Sequence, residues 1–503
     1  MNPLYDSLFA RHTDSTAPFL HLSAGKTVTY AAFLDRAARM GGALRGLGLG
    51  PGDRIAVQIE KSPDAVALYA ACVAQGVVML PLNTAYTPAE LAYFVSDSGA
   101  KVLLAAPGAA DGLGVAAGDA RLETLGTDGD GSLAQATDRA EPATPVARDE
   151  SDLAAFLYTS GTTGRSKSAM LSHRNLLSNS ATLVDAWHFT ADDVLLHALP
   201  IFHTHGLFVA INVTLLAGGA MIFLPRFDID AVLGALPHAT AMMGVPTFYT
   251  RLLAEDRFTK ELGGHIRLYV SGSAPMLPET HRRFHARIGQ AVLERYGMTE
   301  TNMNTSNPYV GERRPGTVGF PLPGVELRIC EPGSDRVLPT GQTGMIEVRG
   351  PNVFQGYWQM PEKTAAELRA DGWFITGDLG VIDAQGYVSI VGRDKDLVIS
   401  GGFNIYPREV EEVIDAQQGV AESAVIGVPH PDMGEGLLAV IVPQSGETPD
   451  FDAIAIAVAG DLARFKQPRR YVLAEALPRN TMGKVQKAEL RKVHAGAFSR
   501  GTS

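Results

Sequence analysis

Cysteine is nearly absent: Cys72 and Cys330 are the only two in 503 residues. That excludes a disulfide framework and a cysteine-built zinc site, and makes a reducing compartment the expectation. A basic excess is lacking too. Lys and Arg number 43 against 54 Asp and Glu, for a net charge of −11, so no broad face is available for nucleic acid. Any polyanionic ligand must be held by a local cluster of donors. The opening MNPLYDSLFARHTDS has no basic segment leading into an apolar one, so no secretory signal is expected, and the closing FSRGTS is not a peroxisomal tripeptide. The one long apolar run, LFVAINVTLLAGGAMIFL at 207–224, is broken by Asn212, Thr214 and Gly218-Gly219. It reads as a buried helix, a turn and a buried strand rather than a membrane span. There is no internal repeat, no G-x-S-x-G of a hydrolase and no His-Cys-Asp spacing of a catalytic metal site. A soluble cytoplasmic protein is expected.

What is present is globular: 46% apolar and 19% charged residues, in a chain too long for one ordinary core. Apolar runs alternate with helical patterns: RIAVQI, SPDAVALYAACVAQG, VVMLPL, TPAELAYFVSDSG, KVLLAA. This β–α–β rhythm predicts parallel sheet covered by helices. Residues 107–150, rich in Gly, Ala and Asp, read as a surface excursion of the same domain. After about residue 310, GMIEVRG, GYVSIVG and DLVIS read as short strands of a small antiparallel unit. The charged GRDKD at 392–396 marks a boundary and hinge. The expected fold is α/β. Residues 1–393 form a large domain of parallel-rich sheets covered by helices plus a small β unit, and 394–503 a small mobile α+β domain.

The stretch FLYTSGTTGRSKSAML, 156–171, has the composition of a phosphate loop. Gly161 and Gly164 let backbone N–H groups share one concavity, Thr159, Ser160, Thr162 and Thr163 add hydroxyls, and Lys167 brings charge. It is not a Walker loop, because Ser166 stands where the glycine before the lysine belongs. The bland alternative is a polar turn between a strand and a helix.

Further motifs follow in order: LPIFHTHG, VSGSAP, RYGMTET, FITGDLG, GRDKDLVISGGFNIYPREVE and LPRNTMGKVQK. Together they resemble the adenylate-forming acyl-CoA synthetase superfamily over nearly the whole chain. The resemblance implies that a carboxylate attacks the α-phosphate of ATP, pyrophosphate leaves, and the thiol of coenzyme A attacks the acyl-AMP. Catalysis of this kind supplies positive charge and positioning.

By the same resemblance Lys484 bridges the acid and the α-phosphate, with Lys487 as the near alternative. Glu300 holds Mg²⁺, and Thr299 contacts the α-phosphate. Tyr296 stacks on adenine with Gly297 and Met298 beside it, and Ser273, Ala274 and Pro275 form the adenine-lining turn. Asp378 and Arg393 take the ribose. Lys395 is the hinge, and Ser400, Gly401 and Gly402 form the pantetheine tunnel. The family's loop usually ends in Lys-Gly, and Ser168 in place of that glycine leaves the backbone after Lys167 open to question. The resemblance also allows a lysine acetyltransferase to control activity at Lys484.

The expected acid pocket is polar: His203, Thr204 and His205, then Thr301, Asn302, Asn304 and Thr305. That favours a short polar acid. Here the wording is similar to the malonate-activating members of the superfamily. Arg282 matches their carboxylate-binding arginine, with Arg283 as the off-by-one alternative; Met303 limits bulk while leaving room for methylmalonate, and His203 gates the site. The expected reaction joins malonate and coenzyme A at the expense of ATP, with no nucleic acid or membrane partner. The alternatives are another short acid, or a stand-alone adenylation enzyme that loads a carrier protein in trans.

Overall fold

The structure is a computed structural model that describes residues 1–159, 166–400, 403–431, 433–480 and 483–498. Two large sheets carry the N-terminal part. In the six-stranded sheet the order is Arg121–Thr124, Val102–Ala105, Arg54–Gln58, Val78–Pro81, Leu153–Thr159 and Lys167–Ser172. The first five strands are parallel, and the last closes an antiparallel hairpin with Leu153–Thr159. The nine-stranded sheet has a parallel centre built from Leu293–Met298, Leu268–Ser271, Ala241–Gly244, Val194–His197, Ala220–Phe223 and Pro18–His21. Antiparallel strands Asn302–Ser306 and Thr27–Thr29 flank it.

The helices have plain local causes. Pro63–Gln75 opens with the Ser62 side chain accepting from the Ala65 N–H, has Pro at its first turn, and ends at Gly76 with φ of 66°. Every residue from Ala65 to Gln75 is buried, as befits a helix in the core that joins both sheets. The segment at 107–150 is more than an excursion. Its strand Arg121–Thr124 extends the six-stranded sheet, and helix Ser132–Arg139 buries Leu133 and Ala134. The apolar run at 207–224 becomes a π-helical turn, His205–Ile211, then helix Asn212–Ala217 and strand Ala220–Phe223. No helix of the described residues is long and apolar enough to cross a membrane.

A four-stranded antiparallel sheet follows: Glu326–Cys330, Gly344–Arg349, Phe374–Ile382 and Val388–Arg393. The strand expected from DLVIS is not part of it. Val398–Ser400 pairs instead with Phe403–Ile405 and Gly434–Pro443, in a C-terminal sheet with apolar clusters of its own.

Candidate active site

The parallel strands of the nine-stranded sheet end on one edge, at His197, Phe223, Ser271 and the run Tyr296–Met298. Ligands of open α/β sheets sit at that edge. The residues after Ser271 turn sharply. Ser273 adopts φ of 70°, a left-handed conformation that a residue with a side chain adopts only when held there. Its Oγ lies 3.2 Å from His205 Nδ1.

Beside this turn, Tyr296 Oη donates to Asp378 Oδ2 at 2.6 Å. Asp378 and Arg393 face each other in register on neighbouring antiparallel strands, with Nε 3.2 Å from Oδ1. Burial opposes the Arg393 charge, but the Asp378 carboxylate outweighs it and holds the guanidinium protonated beyond its usual range. The expected adenine and ribose residues are thus brought together. Ala274 and Pro275 continue the Ser273 turn, and Gly297 and Met298 pair with Met303 and Asn302 across a tight hairpin whose tip holds Thr299 and Glu300.

Glu300 is buried, and burial raises its carboxyl pKa. Tyr357 Oη lies 2.9 Å from Glu300 Oε1 and 2.6 Å from Glu367 Oε2. Lys167 completes the group: its Nζ is 3.3 Å from Glu367 and 4.5 Å from the centre of the Tyr357 ring. Thr159 and Lys167 are paired at the mouth of an antiparallel hairpin. The segment between them therefore joins strand to strand, not strand to helix. Ser160, Gly161, Thr162, Thr163 and Gly164 lie outside the described residues, as do Gly401 and Gly402. Ser168 is extended within Lys167–Ser172, and its carbonyl accepts from the Trp358 N–H at 2.9 Å. A serine there needs no glycine conformation, which resolves the departure from the family's usual Lys-Gly.

Lys484 arrives on a hairpin from the C-terminal part. Its N–H donates to Asn480 Oδ1 at 2.9 Å, its carbonyl accepts from the Asn480 N–H at 2.9 Å, and Gly483 turns the chain at φ of 75°. A Cβ on Gly483 would lie 3.4 Å from Thr247 of the large domain, so the tip rests against it. Burial, then the nearby Arg393, push the Lys484 ammonium down to a pKa of about 7, with Asp378 opposing. Lys487, the near alternative, is held by Glu411 at 2.5 Å. Lys395 stands exposed in the turn Asp394–Asp396, and Ser400 is buried at the end of its strand.

Of the residues expected to line the acid pocket, His203, Thr204, His205 and Asn302 come together, and one expectation is corrected. Thr204 Oγ1 donates to Asn302 Oδ1 at 2.7 Å, and the His205 N–H donates to His203 Nδ1 at 3.3 Å. Met303 is buried, and a Cβ on Gly297 would meet its Cε at 2.7 Å. Arg282, however, points to solvent. Its side chain is 61% exposed on helix Pro278–Ile288 and pairs with Glu279 three residues earlier. Arg283 is exposed as well. Phe284, His281 and Ile288 are the face of that helix that packs inward.

The buried cation beside His203 and His205 is Arg295. It is 4% exposed, and its Nε and Nη2 find no acceptor among the described residues. A Cβ on Gly272 would lie 2.3 Å from its Cζ, so the guanidinium lies flat against the bare backbone of the turn. Burial lowers its pKa to about 9. Burial and Arg295 together keep His203 and His205 neutral, with His203 lowered to about 4. His205 Nε2, Ser271 Oγ and Asn302 Nδ2 also lack partners among the described residues. The signal in the sequence was a charged pair, Glu294-Arg295, inside a strand of the central sheet, where an ionic side chain is rare without a task. Tyr357 and Glu367 were also missed, for the plainer reason that a Tyr and a Glu in a polar stretch carry no pattern.

Residues 7–358 match the family described as AMP-binding enzyme, and residues 409–484 match the AMP-binding enzyme C-terminal domain. The chain belongs to the AMP-binding enzyme family. Among solved members, ATP-bound MatB from Rhodopseudomonas palustris is 57% identical, over 99% of this chain and 100% of that one, with a TM-score of 0.97; its apo form gives 0.86. Among curated members, a feruloyl-CoA synthase from an Amycolatopsis species is 37% identical over 93% of this chain and 94% of its own. A malonate–CoA ligase from Arabidopsis thaliana is 34% identical over 89% of this chain and 79% of its own. This AMP-binding enzyme is an adenylate-forming acid–CoA ligase, and ATP and coenzyme A are its small-molecule substrates.

Proposed function

We propose that the acid is malonate, with methylmalonate tolerated, and that the product is malonyl-CoA. The observation that carries this is the buried guanidinium of Arg295 beneath the turn at Gly272, whose Nε and Nη2 have no partner among the described residues. A buried cation without a counter-charge is costly, and a ligand carboxylate removes that cost while accepting two parallel N–H bonds. One carboxylate of a diacid reacts, and the other remains for Arg295. The unpartnered His205 Nε2, Ser271 Oγ and Asn302 Nδ2 offer further donors to a small polar acid. The likeness to a malonate–CoA ligase supports the same reading.

The adenylation chemistry then falls to named residues. The loop from Thr159 to Lys167 takes the β- and γ-phosphates, and Lys167 leaves Glu367 for them. Thr299 donates to the α-phosphate. Adenine lies between Tyr296 and the Ser273–Pro275 turn, and Asp378 with Arg393 receives the ribose. The Lys484 ammonium sits between the attacking carboxylate and the α-phosphate, where two anions must approach. Glu300 fits a Mg²⁺ that arrives with the nucleotide: it offers one buried carboxylate, and no group of three or more metal-binding side chains stands among the described residues. When bound, Mg²⁺ neutralises phosphate charge. We place the domain boundary at Arg393–Asp394 and the hinge at Lys395. Rotation there withdraws Lys484 and brings Ser400 and its neighbours to the pantetheine arm. The free, buried thiols of Cys72 and Cys330 accord with a cytoplasmic setting.

Acid-dependent exchange of pyrophosphate into ATP, run without coenzyme A over a panel of acids, tests the proposal. Malonate should exceed acetate, propionate and oxalate by at least about tenfold in kcat/KM. Acetate or propionate ahead of malonate would contradict it.

A further inference from the structure

Lys61 is a lysine in the interior, 7% exposed. It stands just before helix Pro63–Gln75, after a strand of the six-stranded sheet, yet its amine reaches the edge of the nine-stranded one. It donates to His197 Nδ1 at 2.7 Å and to the His197 carbonyl at 2.9 Å, and lies 4.3 Å above the centre of the Phe223 ring. None of these partners is a carboxylate. Because Nδ1 accepts, His197 carries its proton on Nε2, which lies 2.9 Å from the Gly206 carbonyl and donates to it. A continuous chain of bonds thus runs from Lys61 through one imidazole to Gly206.

Gly206 is where the acid pocket meets the π-helical turn His205–Ile211. The turn has no slack there, because a Cβ on Gly206 would fall 1.9 Å from the Pro200 carbonyl oxygen. On its other side are His205, which reaches Ser273, and Thr204, which reaches Asn302. A buried amine held only by neutral groups is a costly way to fill space, and a methionine would fill it without desolvating a polar head. What the amine adds is direction: it fixes the His197 ring, and the ring fixes the Gly206 carbonyl.

We propose that Lys61 is a positioning residue of the acid site. Through His197 it pins the Gly206 carbonyl, and so sets the aim of His203, Thr204 and His205 at the substrate acid. The proposal rests on placing the acid at those residues, and not on the acid being malonate.

The test uses the full-length enzyme and pyrophosphate exchange, with whichever acid the unaltered enzyme takes best. Lys61→Met should raise the KM for the acid about tenfold and leave the KM for ATP within about twofold, with no loss in Tm. His197→Phe should give a similar shift, and the double variant no more than either single, since both cut one chain. An unchanged acid KM with a lowered Tm, a rise shared equally by acid and ATP, or multiplicative effects in the double variant would overturn the proposal. If Lys61→Met does not fold, Lys61→Gln, which keeps one N–H for His197, should fold with an acid KM between those of Lys61 and His197→Phe; a KM equal to the latter would also count against it. If the acid KM shifts as expected but the preferred acid is a monocarboxylate, Lys61 keeps its role and the malonate reading falls.

Discussion

Removing the Arg295 side chain should separate recognition of a diacid from the rest of the chemistry. Arg295→Met deletes one partner of a buried charge pair, a change that costs about 2–5 kcal/mol, or at least about thirtyfold in kcat/KM for malonate. Acetate never had that partner, so its kcat/KM should change less than about threefold. The variant should be as stable as the parent in the absence of ligand, because an uncompensated cation has gone. Paired kinetics with both acids and a melting curve check all three outcomes. Arg282→Ala should alter malonate kinetics less than about twofold, since the side chain faces solvent and pairs only with exposed Glu279. The contrast between these arginines shows where the sequence misleads. HRR on an amphipathic helix looks available, but helical phase turns both arginines to water. Arg295 is hidden in print because it neighbours Tyr296 in a motif read for its aromatic ring, and strand alternation sends the two side chains to opposite faces.

The hairpin bearing Lys484 is the element to which we assign adenylation. With its pKa near 7 in the free enzyme, the ammonium is progressively lost as pH rises through about 7. The kcat/KM of the adenylation half-reaction should therefore decline on the alkaline side of neutrality. Lys484→Arg, whose charge does not titrate there, should flatten that limb at a lower absolute rate. A pH profile of pyrophosphate exchange for both proteins decides this; an unaltered limb in the variant would assign it to another group. Lys484→Ala should abolish exchange while thioester formation from supplied acyl-AMP persists, because only the first step brings two anions together. Elements of this kind were legible early. Asn480, Gly483 and Lys484 are a turn with a charge at its tip, and the β–α–β rhythm of the first hundred residues became parallel strands and buried helices. The topology around the stretch read as a phosphate loop was not legible. Nothing in its residues says that the chain after Lys167 returns as a strand, since that depends on pairing with Leu153–Thr159.

At the scale of the molecule, the proposed rotation puts the C-terminal part in two places, one for each half-reaction. Here it sits with Lys484 among Asp378, Arg393 and Asp396, and the overall shape agrees more closely with the ATP-bound MatB structure than with the apo form. Lys395→Pro, which fixes φ at the proposed hinge, should leave pyrophosphate exchange within about threefold while lowering thioester formation at least about a hundredfold. Loss of both would mean that the turn Asp394–Asp396 serves adenylation itself. The boundary we propose at GRDKD rests on charge gathering between two apolar patterns. DLVIS could not be assigned from pattern alone, because five residues of alternating strand fit either neighbouring sheet, and only the pairing of Val398–Ser400 with Gly434–Pro443 decides. In the proposed reaction a buried guanidinium selects a second carboxylate. A crystal grown with malonate and a non-hydrolysable ATP analogue tests it most directly. The distal carboxylate should lie within hydrogen-bonding distance of Arg295, with the base between Tyr296 and the Ser273 turn. A distal carboxylate facing water or another cation, with Arg295 still unpaired, would contradict it.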